Sequence, residues 1–100
     1  KRGKEKMRQV VNGKLYDTEK AQLVAHDRYW DGSNWDRHGR NTYLYKTRKG
    51  NFFVYHQTFW QGERDKIQPV TESEARLWYE TLPEHEMEYE EAFGEPPEEA

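Results

Sequence analysis

Apolar residues are sparse along this chain and gather in short runs, the densest lying between Thr42 and Trp60 (TYLYKTRKGNFFVYHQTFW). Tyr43-Leu44-Tyr45 and Phe52-Phe53-Val54-Tyr55 flank Arg48-Lys49-Gly50-Asn51. Aromatic and β-branched runs joined by a short glycine-bearing loop predict a β-hairpin, with Gly50 supplying a positive φ. Side chains alternate along a strand. Tyr43, Tyr45 and Thr47 therefore share one face and Leu44 and Lys46 the other, and Phe53 and Tyr55 separate likewise from Phe52, Val54 and His56. Rings on both faces exceed what one small core needs. One face is expected to pack under helices, and the other either to lie under loops or to meet a partner.

Upstream, Gln9-Val10-Val11 reads as a strand entering a tight Asn12-Gly13 turn, with Lys14-Leu15-Tyr16 as its return. Asp17 stands where a helix N-cap belongs. Ala21, Val24 and Ala25 then fall at i, i+3 and i+4, so the spacing predicts a helix over 18–25, with Tyr16 and Ala21 as its hydrophobic staple. His26 to Tyr29 is a candidate strand, and the irregular Asp31–Asn41 stretch surrounds Trp35. Downstream, Ile67 to Val70 is extended, with Pro69 suited to a sheet edge. Thr71 and Glu74 form a capping box for a helix running to about Leu82, stopped by Pro83. Its inward stripe is Ala75, Trp78, Tyr79 and Leu82, with Trp78 the side chain most expected in the core. A last helix is predicted over 84–93, buried through Tyr89 and Phe93 and capped by Gly94.

These elements predict one α+β domain over 8–94. An antiparallel sheet of three to four strands would carry two to three short helices on one face or edge, those over 18–25 and 72–82 on one face. Residues 1–7 are expected to be a basic linker or tail, with Met7 a candidate natural start, and 95–100 an acidic disordered tail. The chain is 33% hydrophobic and 35% charged, thin material for a core. Fifteen aromatics offset this, each ring burying roughly 150–250 Å². Without cysteine there is no disulfide framework or thiolate metal site, and no apolar run approaches a membrane span. The expectation is a soluble, cytoplasmic protein.

Charge is unevenly divided. Residues 1–66 hold fifteen Lys/Arg against eight Asp/Glu, a surplus of +7, whereas 67–100 hold one Arg against eleven Glu, or −10. No P-loop, dinucleotide turn, nucleophile elbow or zinc-helix motif is present, and His26, His38, His56 and His85 are scattered. The chain therefore offers no candidate catalytic residue, metal ligand or cofactor, and is not expected to be an enzyme. Two binding surfaces remain. Tyr79, Glu80, Glu84, Glu88 and Glu91, on or near the last helix, could seat in a basic groove of another protein, with Trp35 and Trp60 as a separate aromatic contact. The alternative is nucleic acid held by Tyr43, Tyr45, Lys46, Arg48, Lys49 and Arg64, rings stacking bases and cations neutralising phosphates.

The run Asn12-Gly13-Lys14-Leu15-Tyr16-Asp17-Thr18-Glu19-Lys20-Ala21 resembles the NGK-x-YDTE-x-A opening of a family of small bacterial proteins carried on phages, plasmids and integrative elements. The similarity continues through Leu44–Thr47, Gly50–Tyr55, Ile67–Trp78 and Tyr89–Gly94, and so covers most of 9–94. The chain departs from that pattern at His56-Gln57-Thr58-Phe59-Trp60, where members carry a glycine-rich stretch. The resemblance implies a mobile-element setting, in which small acidic proteins often block host defence nucleases, anti-CRISPR proteins among them. The expected function is accordingly a non-catalytic binding protein that occupies a partner protein's surface, such as a nucleic-acid-binding effector with a basic groove. A nucleic-acid-binding accessory module is the alternative.

Overall fold

The computed structural model describes residues 7–27, 40–58 and 62–100. The central hairpin forms as the alternation requires. Strand β4 (Arg40–Lys46) pairs antiparallel with β5 (Phe52–Thr58), and Gly50 takes φ +90° in the turn between them. Their register sets Tyr43 opposite Tyr55 and Tyr45 opposite Phe53, and both ring pairs stack, at centroid distances of 5.4 and 5.2 Å. Leu44 and Val54 oppose each other on the other face, beside Phe52. Both faces of the hairpin are buried.

Strand β3 (Gln22–His26) flanks β4, and β6 (Lys66–Val70) flanks β5. The two-residue β7 (Glu84–His85) joins beyond β3, giving a five-stranded antiparallel sheet in the order β6-β5-β4-β3-β7. Pro69 sits on the edge strand β6, where its missing N–H disturbs no inner ladder. A separate two-stranded sheet, β1 (Arg8–Val11) and β2 (Lys14–Asp17), turns at Asn12-Gly13, whose φ angles of 53° and 77° match a hairpin turn with two left-handed residues. The strand count thus exceeds the three to four expected.

Each sheet face has its own cover. On one, helix α1 (Glu72–Thr81) and helix α2 (Tyr89–Phe93) bury Ala75, Tyr79, Leu82, Ala92 and Phe93 against Val24, Leu44, Phe52 and Val54. On the other, the small β1–β2 sheet lays Tyr16 and Val11 against Tyr43, Tyr45, Phe53, Tyr55 and Ile67. Met7 is held there too, its N–H donating to the Thr18 hydroxyl at 3.0 Å while its carbonyl accepts the Thr18 N–H. The buried tyrosines keep their hydroxyls satisfied at the rim. Tyr43 donates to Gln57 at 2.9 Å and Tyr55 to Asp65 at 2.8 Å.

The helix expected over 18–25 does not form. Asp17 caps a single turn instead, accepting the Glu19 N–H at 2.9 Å on its carboxylate and the Lys20 N–H on its carbonyl. The chain then enters β3, where a β-bulge between Leu23 and Ala25 turns Val24 and Ala25 to the same face. That broken alternation imitates a helical stripe, yet Ala21 lies in the opposite cluster, so the three residues never shared a face. An eight-residue helix is marginal unaided, and pairing with β4 gives Gln22, Leu23, Ala25 and His26 strand partners instead.

The helix expected over 84–93 is likewise shortened to α2. The carbonyl of Val24, at the bulge, accepts N–H groups from Glu86 at 2.8 Å and Met87 at 3.2 Å, drawing 84–87 onto the sheet edge. The Thr71–Glu74 capping box and the Gly94 C-cap form as expected. Trp78 is only half-buried, lying edge-on to His56 at 5.9 Å. Ala75, Tyr79 and Leu82 are the buried stripe, and Trp78 stands at its margin. Trp35 and Trp60, the 1–6 segment and the remainder of the His26–Tyr29 strand beyond Asp27 lie outside the described residues.

Phe53 is fully buried between Tyr45 and Tyr16, whereas Leu77 is 63% exposed. Phe53→Ala is expected to cost about 3–5 kcal/mol and Leu77→Ala less than about 0.5 kcal/mol in urea unfolding. Equal unfolding midpoints for the two variants would contradict the two-sided aromatic core.

Candidate functional site

The acidic residues singled out in the sequence do not share one helix. Glu80 belongs to α1, Glu84 to β7, Glu88 is the N-cap residue of α2 and Glu91 lies in its first turn. All four are exposed, as are Glu86 and Glu90 among them. The chain leaves α1 at Leu82, crosses the edge of β3 and returns into α2, so this arrangement follows from the bulge that recruits Glu86 and Met87. Glu86 reaches back to His26 Nε2 at 2.9 Å. No Lys or Arg follows Arg76 in the sequence.

Arg76 is fully engaged. It pairs with Glu72 one turn earlier and with Glu95 at 3.1 Å, donates to the Tyr89 hydroxyl at 2.9 Å, and stacks over the Tyr89 and Phe93 rings. Its pKa is raised, first by Glu72 and further by Glu95 and Tyr89, against an opposing desolvation effect. It clamps α1 to α2 and does not neutralise Glu80, Glu84, Glu88 or Glu91.

Tyr79 is not an exposed anchor. It is 8% exposed, stacks on His85 at 3.9 Å and donates to the Met87 carbonyl at 2.8 Å. Leu77, one turn before Thr81 and on the outer side of α1, is the exposed apolar residue near Glu80. The spacing leaves Leu77 out of the inward stripe, but nothing in the sequence singles it out as a contact residue.

The residues expected to hold nucleic acid are dispersed. Tyr43 and Tyr45 are 2% and 1% exposed, with their ring faces taken by Tyr55 and Phe53, so they cannot stack on bases. Lys46 donates to the Ala92 carbonyl at 2.8 Å, closing the end of α2, and lies over the Phe52 ring. Arg48 and Lys49 are exposed on the β4–β5 turn. Arg64 follows the opposite end of β5, a strand of seven residues, which sets it roughly 20 Å away. There it lines a polar hollow with Glu63, Lys66, His56 and Asn41. The Asn41 amide donates to Gln57 at 3.2 Å, and its buried Oδ1 has no partner among the described residues.

The fold also brings Lys14 and Lys20 beside Arg48 and Lys49 around one open cleft. That grouping was not legible beforehand, because it joins three separate turns. Among the described residues no three His, Asp or Glu side chains converge in a way that could hold a metal ion. No helix among them is long and apolar enough to cross a membrane.

No protein-family model, curated protein or solved structure matches this chain.

Burial, and secondarily the charge of Glu88, raises the pKa of Tyr79. The neutral phenol is thus favoured in the folded protein. Its contribution to stability is complete below the unfolded value of about 10 and is lost as pH rises through the folded value. Tyr79→Phe is expected to lose about 1 kcal/mol at neutral pH, from the missing Met87 bond, and to shed less stability than the parent above about pH 10. Parallel stability–pH curves for the two proteins in that alkaline range would contradict this.

Proposed function

We propose that this domain is a non-catalytic binding protein that seats an acidic surface on a basic groove of another protein. The observation carrying this reading is the exposed set Glu80, Glu84, Glu88 and Glu91, none of which pairs with a cation among the described residues, with Arg76, the last cation of the chain, already committed elsewhere. Carboxylates so placed steer encounter with a cationic surface and displace its counterions. Leu77, exposed one turn ahead of Glu80 and Thr81, supplies apolar area that becomes desolvated in the contact.

The fitting partner is a nucleic-acid-binding protein whose groove normally holds phosphates, such as a host-defence nuclease. Binding there would exclude the nucleic acid by occupancy, without chemistry. The setting implied by the resemblance of the opening motif, a phage or other mobile element, agrees with that class of partner.

Capture from a bacterial host lysate, with the retained protein identified, tests the proposal. A basic nucleic-acid-binding protein is expected, released by salt and by competing oligonucleotide. Glu84→Lys, Glu88→Lys and Glu91→Lys together are expected to weaken its binding by more than roughly tenfold, equivalent to about 1.4 kcal/mol, with the thermal midpoint little changed. Undiminished capture by the triple variant would remove the acidic surface as the contact.

A further inference from the structure

The open cleft on the β1–β2 side of the molecule has a volume of about 550 Å³. Four cations line it from three turns: Lys14 beside the Asn12-Gly13 turn, Lys20 in the turn that Asp17 caps, and Arg48 and Lys49 on the β4–β5 turn. None of the four makes an ion pair with a described residue, and Lys14, Lys20, Arg48 and Lys49 are all exposed. Leu15, 52% exposed, and the buried Tyr16 and Ala21 give the cleft an apolar floor. Asp17 is the one acid in the lining, and it is 6% exposed with a carboxylate oxygen accepting the Glu19 N–H.

From this we infer that the cleft binds the backbone of a single-stranded nucleic acid, at a site distinct from the acidic surface and from the rings of the central hairpin. The volume lies within the roughly 300–1,000 Å³ range of ligand pockets and suits a nucleotide or two. Cations spread around a rim match a succession of phosphates better than one compact anion. Arg48 adds a planar fork for two phosphate oxygens. Sugar and base edges would rest on Leu15 and the floor. No exposed ring in the lining offers a stacking face, so recognition rests on charge and is independent of sequence. A molecule of net charge −3 would otherwise repel nucleic acid, so binding must arise from this local grouping.

Fluorescence anisotropy with a labelled single-stranded oligonucleotide of mixed sequence tests the assignment. Binding is expected at about 50 mM salt and to fall steeply towards about 200 mM. Each of Lys14→Gln, Lys20→Gln, Arg48→Gln and Lys49→Gln should reduce the salt slope by about one. Lys66→Gln, on the edge strand, should leave it unchanged. A duplex of the same sequence is expected to bind more weakly. All four positions are exposed, so the variants should retain the parent's thermal midpoint. No binding at about 50 mM salt, or a loss confined to Lys66→Gln, would overturn the inference. So would duplex binding as tight as the single strand. A synthetic peptide of residues 84–100 forms the last arm. If the four substitutions abolish binding of that glutamate-rich peptide while the oligonucleotide is not bound, the cleft is an acidic-peptide site and the inference fails.

Discussion

The register of β4 against β5 is the constraint on which the other elements depend. It places Tyr43 on Tyr55 and Tyr45 on Phe53 on one face, and Leu44 on Val54 on the other. A slip by one residue would exchange the faces of one strand and bring rings against the aliphatic side. Because both faces are apolar, neither can be left to water, and each needs a cover. The helices supply one and the β1–β2 sheet the other. The rings of the central hairpin are thus taken up by structure. The exposed charged side chains among the described residues lie outside the sandwich, on the turns, the sheet edge and the outer sides of the covers.

The bulge in β3 couples that core to the surface. By turning Val24 and Ala25 to the same face it fills the helix-side cluster, and it leaves the Val24 carbonyl directed at the sheet edge. Glu86 and Met87 satisfy that carbonyl. After Pro83 ends α1, the chain therefore runs as β7 before entering α2, instead of forming one helix over 84–93. Glu84 then lies on β7 while Glu88 and Glu91 open α2, so the three do not share a single helix. A single acidic helix would present one narrow stripe; this path spreads the carboxylates over three elements.

Local chemistry was legible in the sequence because its causes are local. The Asn12-Gly13 turn, the alternation of the 42–58 hairpin, the Thr71–Glu74 box and the Gly94 cap each depend on a few adjacent residues. The failures share a different cause. The stretches at 18–25 and 84–88 were decided by backbone partners distant in sequence, β4 for the first and the Val24 carbonyl for the second. Tyr43 and Tyr45 could be assigned a face but not a cover, so their burial could not be read. Helical spacing sets Trp78 and Tyr79 side by side on the stripe, but only packing puts Tyr79 inside and Trp78 at the margin. The four cations of the cleft come from turns whose proximity exists only once the β1–β2 sheet has packed.

Among the described residues, the sandwich also holds groups of opposite charge apart. Glu80, Glu84, Glu88 and Glu91 sit on and beside the helix layer, whereas Lys14, Lys20, Arg48 and Lys49 border the β1–β2 layer, with the five-stranded sheet between. Layers pack about 10 Å apart, so the two outer layers are separated by roughly 20 Å. The Debye length at physiological ionic strength is about 8 Å. Over that separation the attraction between opposite poles is largely screened. Lys46, which reaches the end of α2, uses its ammonium group on the Ala92 carbonyl. Each pole consequently keeps its own field towards solvent, and occupation of one surface changes the electrostatics of the other little.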